Sequence, residues 1–374
     1  MSKKGLSSFK DQVSGWTSGQ APMREALQSV AGRLALSSGV LLAISASFIT
    51  PQSGDAQTSA SPRNANPPGL SDVAIGYSRL SISLPVFIAQ DKGYFKKNGI
   101  NAKLHRYDDG GILGQALAEG KVDLGGYSAT PILFNGSLRT GRQFLYVTTQ
   151  LEDESHRVSY LLRPKTPAGQ SPEIKTIADL KGKRVGIFPT AAYKLTLEAL
   201  LKKNGVNPSS VTIQQVEPAL QPQLLRSKGI DALYTVTPPG VATIATGAGE
   251  LIGTRSPAPE VFGKPFPFAQ FVISKNWAAK NPGLTKQIVK SLDQAIVYIN
   301  ANPSKAKQAY RNYLAEVHHK FIDQYPQPLY LTSYDNKDKI LNRIASKYLE
   351  AGIIPRKINL KGAIYHGDPV GRPQ

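Results

Sequence analysis

Residues 176–205 read TIADLKGKRVGIFPTAAYKLTLEALLKKNG, and this stretch decides the fold. Arg184 to Phe188 (RVGIF) is a short apolar run of the kind buried in a parallel sheet. Before it, Thr176 and Asp179 have capping-box spacing for one helical turn, which Gly182 breaks. After it, Pro189-Thr190-Ala191-Ala192 leads into a helix with Tyr193, Leu197, Leu200 and Leu201 on one face. Lys202 and Lys203 suit the C-terminal end of that helix, and Gly205 suits its C′ stop. The stretch is half a βαβ unit with small residues at the strand-to-helix joint. Small side chains let a ligand approach the free N–H groups of the first helical turn, where the helix dipole favours an anion. A tight connection that binds nothing explains the same residues.

The same pattern recurs on both sides. Val73 to Tyr77 reads as a strand, Ser78 to Ser83 as a polar loop, and Leu84-Pro85 opens a helix with Ser83 as its N-cap. Ala102 to Tyr107, Val122 to Tyr127 and Phe144 to Thr149 read as further strands, with a helix over 112–119 and another begun by Ser128-Ala129-Thr130-Pro131. Asp231 to Val236 adds a strand whose end runs from Thr235 to Pro239. Alternating strands and helices argue for parallel sheets covered on both faces, and ligands bind outside the carboxyl ends of such strands. The four polar loops at those ends therefore favour an anion site over four empty connections. Val158 to Leu162 and Phe271 to Ser274 bracket residues 163–268 and read as hinge strands between two lobes. Helices are expected over 282–300, 306–317 and 337–351, and a loose tail over 367–374.

The chain has 374 residues, enough for two domains, and a formal net charge of +19. Such a charge suits nucleic acid, an anionic surface or an anionic solute. The basic residues are spread along the chain without an arginine-rich run, a finger or a helix-turn-helix pattern, which disfavours nucleic acid. There is no cysteine, which excludes disulfides, thiol nucleophiles and a lipoprotein anchor. The two methionines, Met1 and Met23, both lie near the N-terminus, so a processed chain would lack sulfur altogether. Compositional drift, avoidance of oxidation and economy of sulfur each account for this. Residues 34–49 resemble the apolar core of a secretory signal, with Gly54-Asp55-Ala56 as a cleavage site. The expected layout is a signal peptide over 1–56, with Met23 as an alternative start, followed by a Pro-rich linker over 57–70. The expected location is a bacterial periplasm.

Catalytic patterns are missing. No phosphate-binding loop, dinucleotide fingerprint or nucleophile elbow is present, and His318 and His319 are adjacent and so point apart. No metal ligands or cofactor are expected. His156 lies beside Glu152, Asp153 and Glu154, read here as a solvated loop rather than an acid pair.

Three motifs carry a resemblance. Ala89 to Gly99 (AQDKGYFKKNG), Val122 to Tyr127 (VDLGGY) and Asp179 to Gly186 (DLKGKRVG) are similar to signatures of ABC-transporter solute-binding proteins of the nitrate/sulfonate/taurine class. Ile230-Asp231-Ala232 and Asn281-Pro282 fit later ones, so the resemblance spans about 73–310. It implies a type II periplasmic binding fold, α/β, with two lobes of mostly parallel sheet joined by two hinge strands. Lobe 1 would hold 70–160 and 270–366, and lobe 2 would hold 161–269. It implies a ligand oxyanion held by loop N–H and hydroxyl groups, here Ser78, Ser83 and Leu84; Ser128, Ala129 and Thr130; Thr190, Ala191 and Ala192; and Thr235 and Thr237. Many relatives have Gly-Ser or Gly-Thr at the Thr190-Ala191-Ala192 joint, so this chain departs there. The implied partners are a small anionic solute, an ABC permease and its ATPase, with the protein a monomer. The missing sulfur favours an organosulfur anion: an alkanesulfonate, taurine or a sulfate ester. Nitrate or bicarbonate is the alternative anion. An enzyme like the thiamine-pyrimidine synthases of this fold is the alternative class, disfavoured by the absence of cysteine.

Overall fold

The computed structural model describes residues 69–371 except 109, 128, 129, 255 and 328; of Tyr127 and Thr130 it describes the backbone. The expected signal peptide, its cleavage site and nearly all of the Pro-rich linker lie outside the described residues.

The chain opens as alternating strand and helix. β1 (Ser71–Tyr77) is followed by a 3-10 turn (Ser81–Ser83), α1 (Leu84–Asp91) and α2 (Tyr94–Lys97). β2 (Ile100–Arg106), α3 (Gly110–Ala118), β3 (Leu124–Tyr127), α4 (Thr130–Thr140) and β4 (Phe144–Glu152) come next. The chain then crosses into a second sheet: β5 (Ser159–Pro164), β6 (Arg184–Ile187), α5 (Ala191–Lys203), β7 (Thr212–Gln215), α6 (Gln221–Arg226), β8 (Ala232–Val236), α7 (Pro239–Ala245) and β9 (Gly249–Leu251). It returns through α8 (Pro257–Phe262) to β10 (Phe266–Ser274). α9 (Lys275–Lys280), α10 (Pro282–Ala301), α11 (Pro303–Lys307), β11 (Leu329–Leu331) and α12 (Asp338–Glu350) complete the first lobe.

The first sheet has the order β11-β4-β10-β3-β1-β2 and the second β7-β6-β8-β5-β9. In the first, β1, β2, β3 and β4 run one way while β10 and β11 run against them. In the second, only β5 is reversed. The two-lobe α/β architecture read from the sequence is therefore present, with most strands of each sheet pointing one way and the reversed ones making both sheets mixed in their pairing. The reversed β5 and β10 have a simple origin. Each arrives from the other sheet at the carboxyl edge of its new neighbours, so it must run backwards. Ser159 pairs with Val236, the last residue of β8, and Phe266 pairs with Glu152, the last residue of β4.

The stretch at 176–205 folds as its spacing dictates. Asp179 accepts hydrogen bonds from the N–H groups of Lys175 (2.9 Å) and Thr176 (2.8 Å) around a single 3-10 turn. Val185 and Ile187 are buried, as are Tyr193, Leu197, Leu200 and Leu201 on the inner face of α5. Gly205 follows α5 with φ +73°, a left-handed conformation that glycine adopts without strain. Long helix α10 buries Ile288, Leu292, Ala295 and Ile299 and packs on α1.

One device recurs in the two sheets. The carboxylate of Asp123, just before β3, accepts the N–H of Ala74 in β1 (2.9 Å), while the Asp123 N–H donates to the Ala74 carbonyl (2.7 Å). Asp231, just before β8, does the same with Arg184 in β6, at 2.8 Å each way. A short acidic side chain thus locks the first rung of a parallel strand pair, where a one-residue slip would turn every side chain to the wrong face.

The helix expected over 306–317 is instead α11 and two 3-10 segments, Gln308–Asn312 and Glu316–Gln324. Inward anchors override helical propensity here. The Lys307 ammonium donates to the carbonyls of Asp323 (3.0 Å) and Tyr325 (2.7 Å), and the Tyr310 hydroxyl reaches the Ser81 carbonyl (3.4 Å).

Candidate functional site

The chain leaves the first sheet at the carboxyl end of β4 and enters the second beside the carboxyl end of β8. It leaves again at the end of β9 and returns beside the end of β4. Both crossings therefore join the carboxyl edges of the two sheets, and the gap between those edges is where the expected ligand loops lie. Pro131 at the start of α4 shares a cavity there with Ala192, Tyr193, Thr196, Tyr234, Ala258, Phe266, Phe268 and Tyr348. The cavity measures about 20 Å³, room for about one water.

The first crossing is tied by Glu152. This side chain is fully buried. It accepts the N–H groups of Val158 (2.9 Å) and Ser159 (2.6 Å) and the Ser159 hydroxyl (2.9 Å). The solvated-loop reading of Glu152 is thus corrected: the strand runs three residues further than expected, and Thr148, Gln150 and Glu152 all turn inward at its two-residue period. Burial pushes the Glu152 carboxyl above its ordinary range, against the lowering effect of its hydrogen bonds. Asp153 and Glu154 behave as expected of a surface loop. Asp153 accepts the N–H groups of Ser155 and His156 and the His156 ring (2.9 Å), and Glu154 pairs with Lys264.

The expected binding residues divide into two groups. In the first loop the backbone N–H groups are already paired. The Ser78 N–H donates to the Ser83 hydroxyl (3.2 Å), the Ser83 N–H to the Leu80 carbonyl (3.1 Å) and the Leu84 N–H to the Ser81 carbonyl. Ser83 occupies the N-cap position of α1, yet its hydroxyl does not cap the helix. Leu84 is a core residue. In the second lobe the buried Thr235 hydroxyl donates to Gln221 Oε1 (2.6 Å), and Thr237 pairs with the Tyr160 hydroxyl (3.2 Å). Ser128 and Ala129 lie outside the described residues, and Thr130 begins α4.

The Thr190-Ala191-Ala192 joint differs. Thr190 is the extended N-cap residue of α5 and only 8% exposed, and its hydroxyl has no hydrogen-bond partner. The N–H groups of Ala191 and Ala192, the first two of a 13-residue helix, have no backbone partner among the described residues. Among the described residues, unpaired donors and the positive end of the helix dipole give this joint the character of an anion-receptive helix start.

The sequence reading passed over the residues that hold the first loop in place. The hydroxyls of Tyr310 and Tyr330 both donate to the Ser81 carbonyl, and Gln150 Nε2 donates to the Ser81 hydroxyl (3.2 Å). The polar alternation Thr148-x-Gln150-x-Glu152 was the available signal; the tyrosines, more than 200 residues away, gave none. Among the described residues no group of acidic residues and histidines is placed to hold a metal, and no helix is long and apolar enough to cross a membrane.

The family profile described as NMT1/THI5 like matches residues 82–306, more than half of the chain. The chain belongs to the NMT1/THI5-like family. Within it, the chain is 24% identical over 281 residues to a putative thiamine biosynthesis protein of Haemophilus influenzae, covering 74% of this chain and 85% of that protein. It is 27% identical over 221 residues to the taurine-binding periplasmic protein of Escherichia coli, covering 59% of this chain and 64% of that one. The fold is that of the periplasmic aliphatic sulphonate binding protein SsuA of E. coli, with a TM-score of 0.61 at 17% identity over 79% of this chain and 97% of that one.

Proposed function

We propose that this protein is an exported solute-binding protein that captures a small organic oxyanion between its lobes and delivers it to an ABC importer. The observation that carries the reading is the α5 joint: a buried Thr190 hydroxyl without a partner beside unpaired N–H groups, on the edge of the interlobe gap. Neutral donors hold an oxyanion without the permanent countercharge that would hinder release. Binding favours the closed form by as much as the ligand prefers it, and release needs only that a transporter prefer the open one.

An organosulfur anion (an alkanesulfonate, taurine or a sulfate ester) fits better than nitrate or bicarbonate. Beside the joint, Tyr193, Tyr234, Phe266, Phe268 and Tyr348 wall a cavity with room for about one water, so a solute with an organic body enters only as the lobes part, and the aromatic faces then exposed suit such a body. The sulfur-poor chain agrees with a cargo needed when sulfur is scarce. The same aromatic walls favour a second reading, a planar nitrogen heterocycle of the thiamine-pyrimidine type, in keeping with the Haemophilus relative. In either case we read the protein as a carrier, in keeping with the binding proteins among its relatives.

A thermal-shift panel on the purified protein tests the reading, with taurine, alkanesulfonates, aryl sulfates, nitrate, bicarbonate and an aminopyrimidine. Ligand at about 100 times its Kd stabilises by about 2.7 kcal/mol. A response to nitrate alone sinks the organosulfur reading, a response to the aminopyrimidine alone selects the second, and silence throughout refutes the site.

A further inference from the structure

Tyr193 reads in the sequence as a core residue on the inner face of α5, and its ring is indeed packed. It lies 5.3 Å from the Phe188 ring and 4.7 Å from the Tyr234 ring, centroid to centroid. Its hydroxyl is the anomaly. Tyr193 is 3% exposed, and the hydroxyl has no hydrogen-bond partner. Other buried tyrosines pair theirs: Tyr160 with Thr237, and Tyr310 and Tyr330 with the Ser81 carbonyl. A buried hydroxyl without a partner is destabilising, so a packed core would ordinarily supply one.

The position of this orphan is informative. Tyr193 lines the cavity between the lobes. It lies three residues after Thr190, the extended N-cap of α5 and the other orphan hydroxyl of this joint. Glu152 lies behind the cavity, for its strand partner Phe266 is one of the cavity walls. A buried carboxylate at that end repels a second anion and tolerates a neutral or positively charged group.

Resting on the solute-binding reading above, we propose that Tyr193 is a specificity-determining residue whose hydroxyl hydrogen-bonds a second, non-anionic polar group of the bound solute. The cargo is then bifunctional. As the lobes part to widen the one-water cavity, its oxyanion meets the Thr190 joint, its short body meets the aromatic walls, and an amino or hydroxyl group meets Tyr193 on the Glu152 side. A simple inorganic oxyanion satisfies only the first of these contacts.

The test is Tyr193→Phe in the full chain, read in two ways. Without ligand, the variant is expected to be at least as heat-stable as the parent, because it loses only an unsatisfied group. A fall of several degrees means that the hydroxyl is bonded within the protein and overturns the proposal. In calorimetric titrations, taurine and 2-hydroxyethanesulfonate share their sulfonate with ethanesulfonate but carry a second polar group. The parent is expected to bind the first two at least tenfold more tightly than the third. Tyr193→Phe should bring that ratio close to one while leaving ethanesulfonate affinity unchanged. Equal binding of all three by the parent, or an unchanged ratio in the variant, overturns the proposal. If no sulfonate binds the parent, the organosulfur reading falls by itself. The unliganded comparison then decides: a variant at least as stable as the parent sustains the role of Tyr193, and a destabilised one refutes it.

Discussion

Replacing Glu152 by alanine should loosen the first crossing between the lobes. The carboxylate accepts two buried backbone N–H groups, those of Val158 and Ser159, and nothing else among the described residues is placed to take them. Each amide left unsatisfied costs about 1–3 kcal/mol, or about 2–6 kcal/mol for the pair. Part of this is offset because the variant no longer buries a carboxylate, and the Ser159 hydroxyl can turn to another acceptor. The net loss should be about 3 kcal/mol. Hydrogen exchange at Val158 and Ser159 reads it locally, and 3 kcal/mol corresponds to roughly hundredfold faster exchange if these amides open with the crossing. Urea unfolding reads it globally. Glu152→Gln keeps an acceptor oxygen for both amides and should cost much less. It also removes a pH dependence whose sign follows from burial. The folded-state pKa of Glu152 is raised, so the folded protein holds that proton more tightly than the unfolded chain does. The parent should therefore lose stability relative to Glu152→Gln as pH rises from the ordinary glutamate range through the raised value. A loss below about 1 kcal/mol in Glu152→Ala, with unchanged exchange at both amides, would show that water reaches them and that the carboxylate does not tie the crossing.

Thr190→Val removes the unpartnered hydroxyl at constant shape; it should leave stability within about 0.5 kcal/mol and weaken anion binding at least tenfold by calorimetry, and a large stability loss would make the position structural. Asp293 on α10 is buried against the N–H (2.7 Å) and hydroxyl of Ser333, and burial raises its carboxyl to about 6. The gap from its ordinary 3.8 is worth about 3 kcal/mol, fully present below pH 3.8 and lost as pH rises through 6; unfolding of Asp293→Asn should lack this slope between pH 4 and 7. Gly240→Ala would put a Cβ 2.5 Å from the Tyr160 ring, which is held by Thr237, and should cost about 1–3 kcal/mol in urea unfolding.

The scaffold was legible because its signals are local. RVGIF, the caps at Asp179 and Gly205, and the apolar faces of α5 and α10 are decided within a few residues, and the fold follows them. The site was legible only where it too is local. The Thr190-Ala191-Ala192 joint keeps unpaired donors. The backbone N–H groups at Ser78, Ser83 and Leu84 and the hydroxyls of Thr235 and Thr237 bond to partners within the protein, among them Gln221 and Tyr160, which strand and helix periodicity does not specify. Glu152 was misread because three acidic residues in a row look solvated. Only the register of β4 separates the one that turns inward from the two that do not.

The paired aspartates, Asp123 and Asp231, separate ancestry from cargo. They sit in the very motifs by which the chain is recognised, yet each carboxylate faces a neighbouring strand at the end of its sheet remote from the gap. These motifs act as alignment marks for assembly, stamped once in each lobe. On the proposed reading, a protein keeps both marks and exchanges what it carries by altering a handful of positions around Thr190 and Tyr193. A signature that names the lineage is therefore silent on the solute. Grafting residues 189–193 from a relative of known cargo onto this scaffold should move specificity while leaving both strand registers intact.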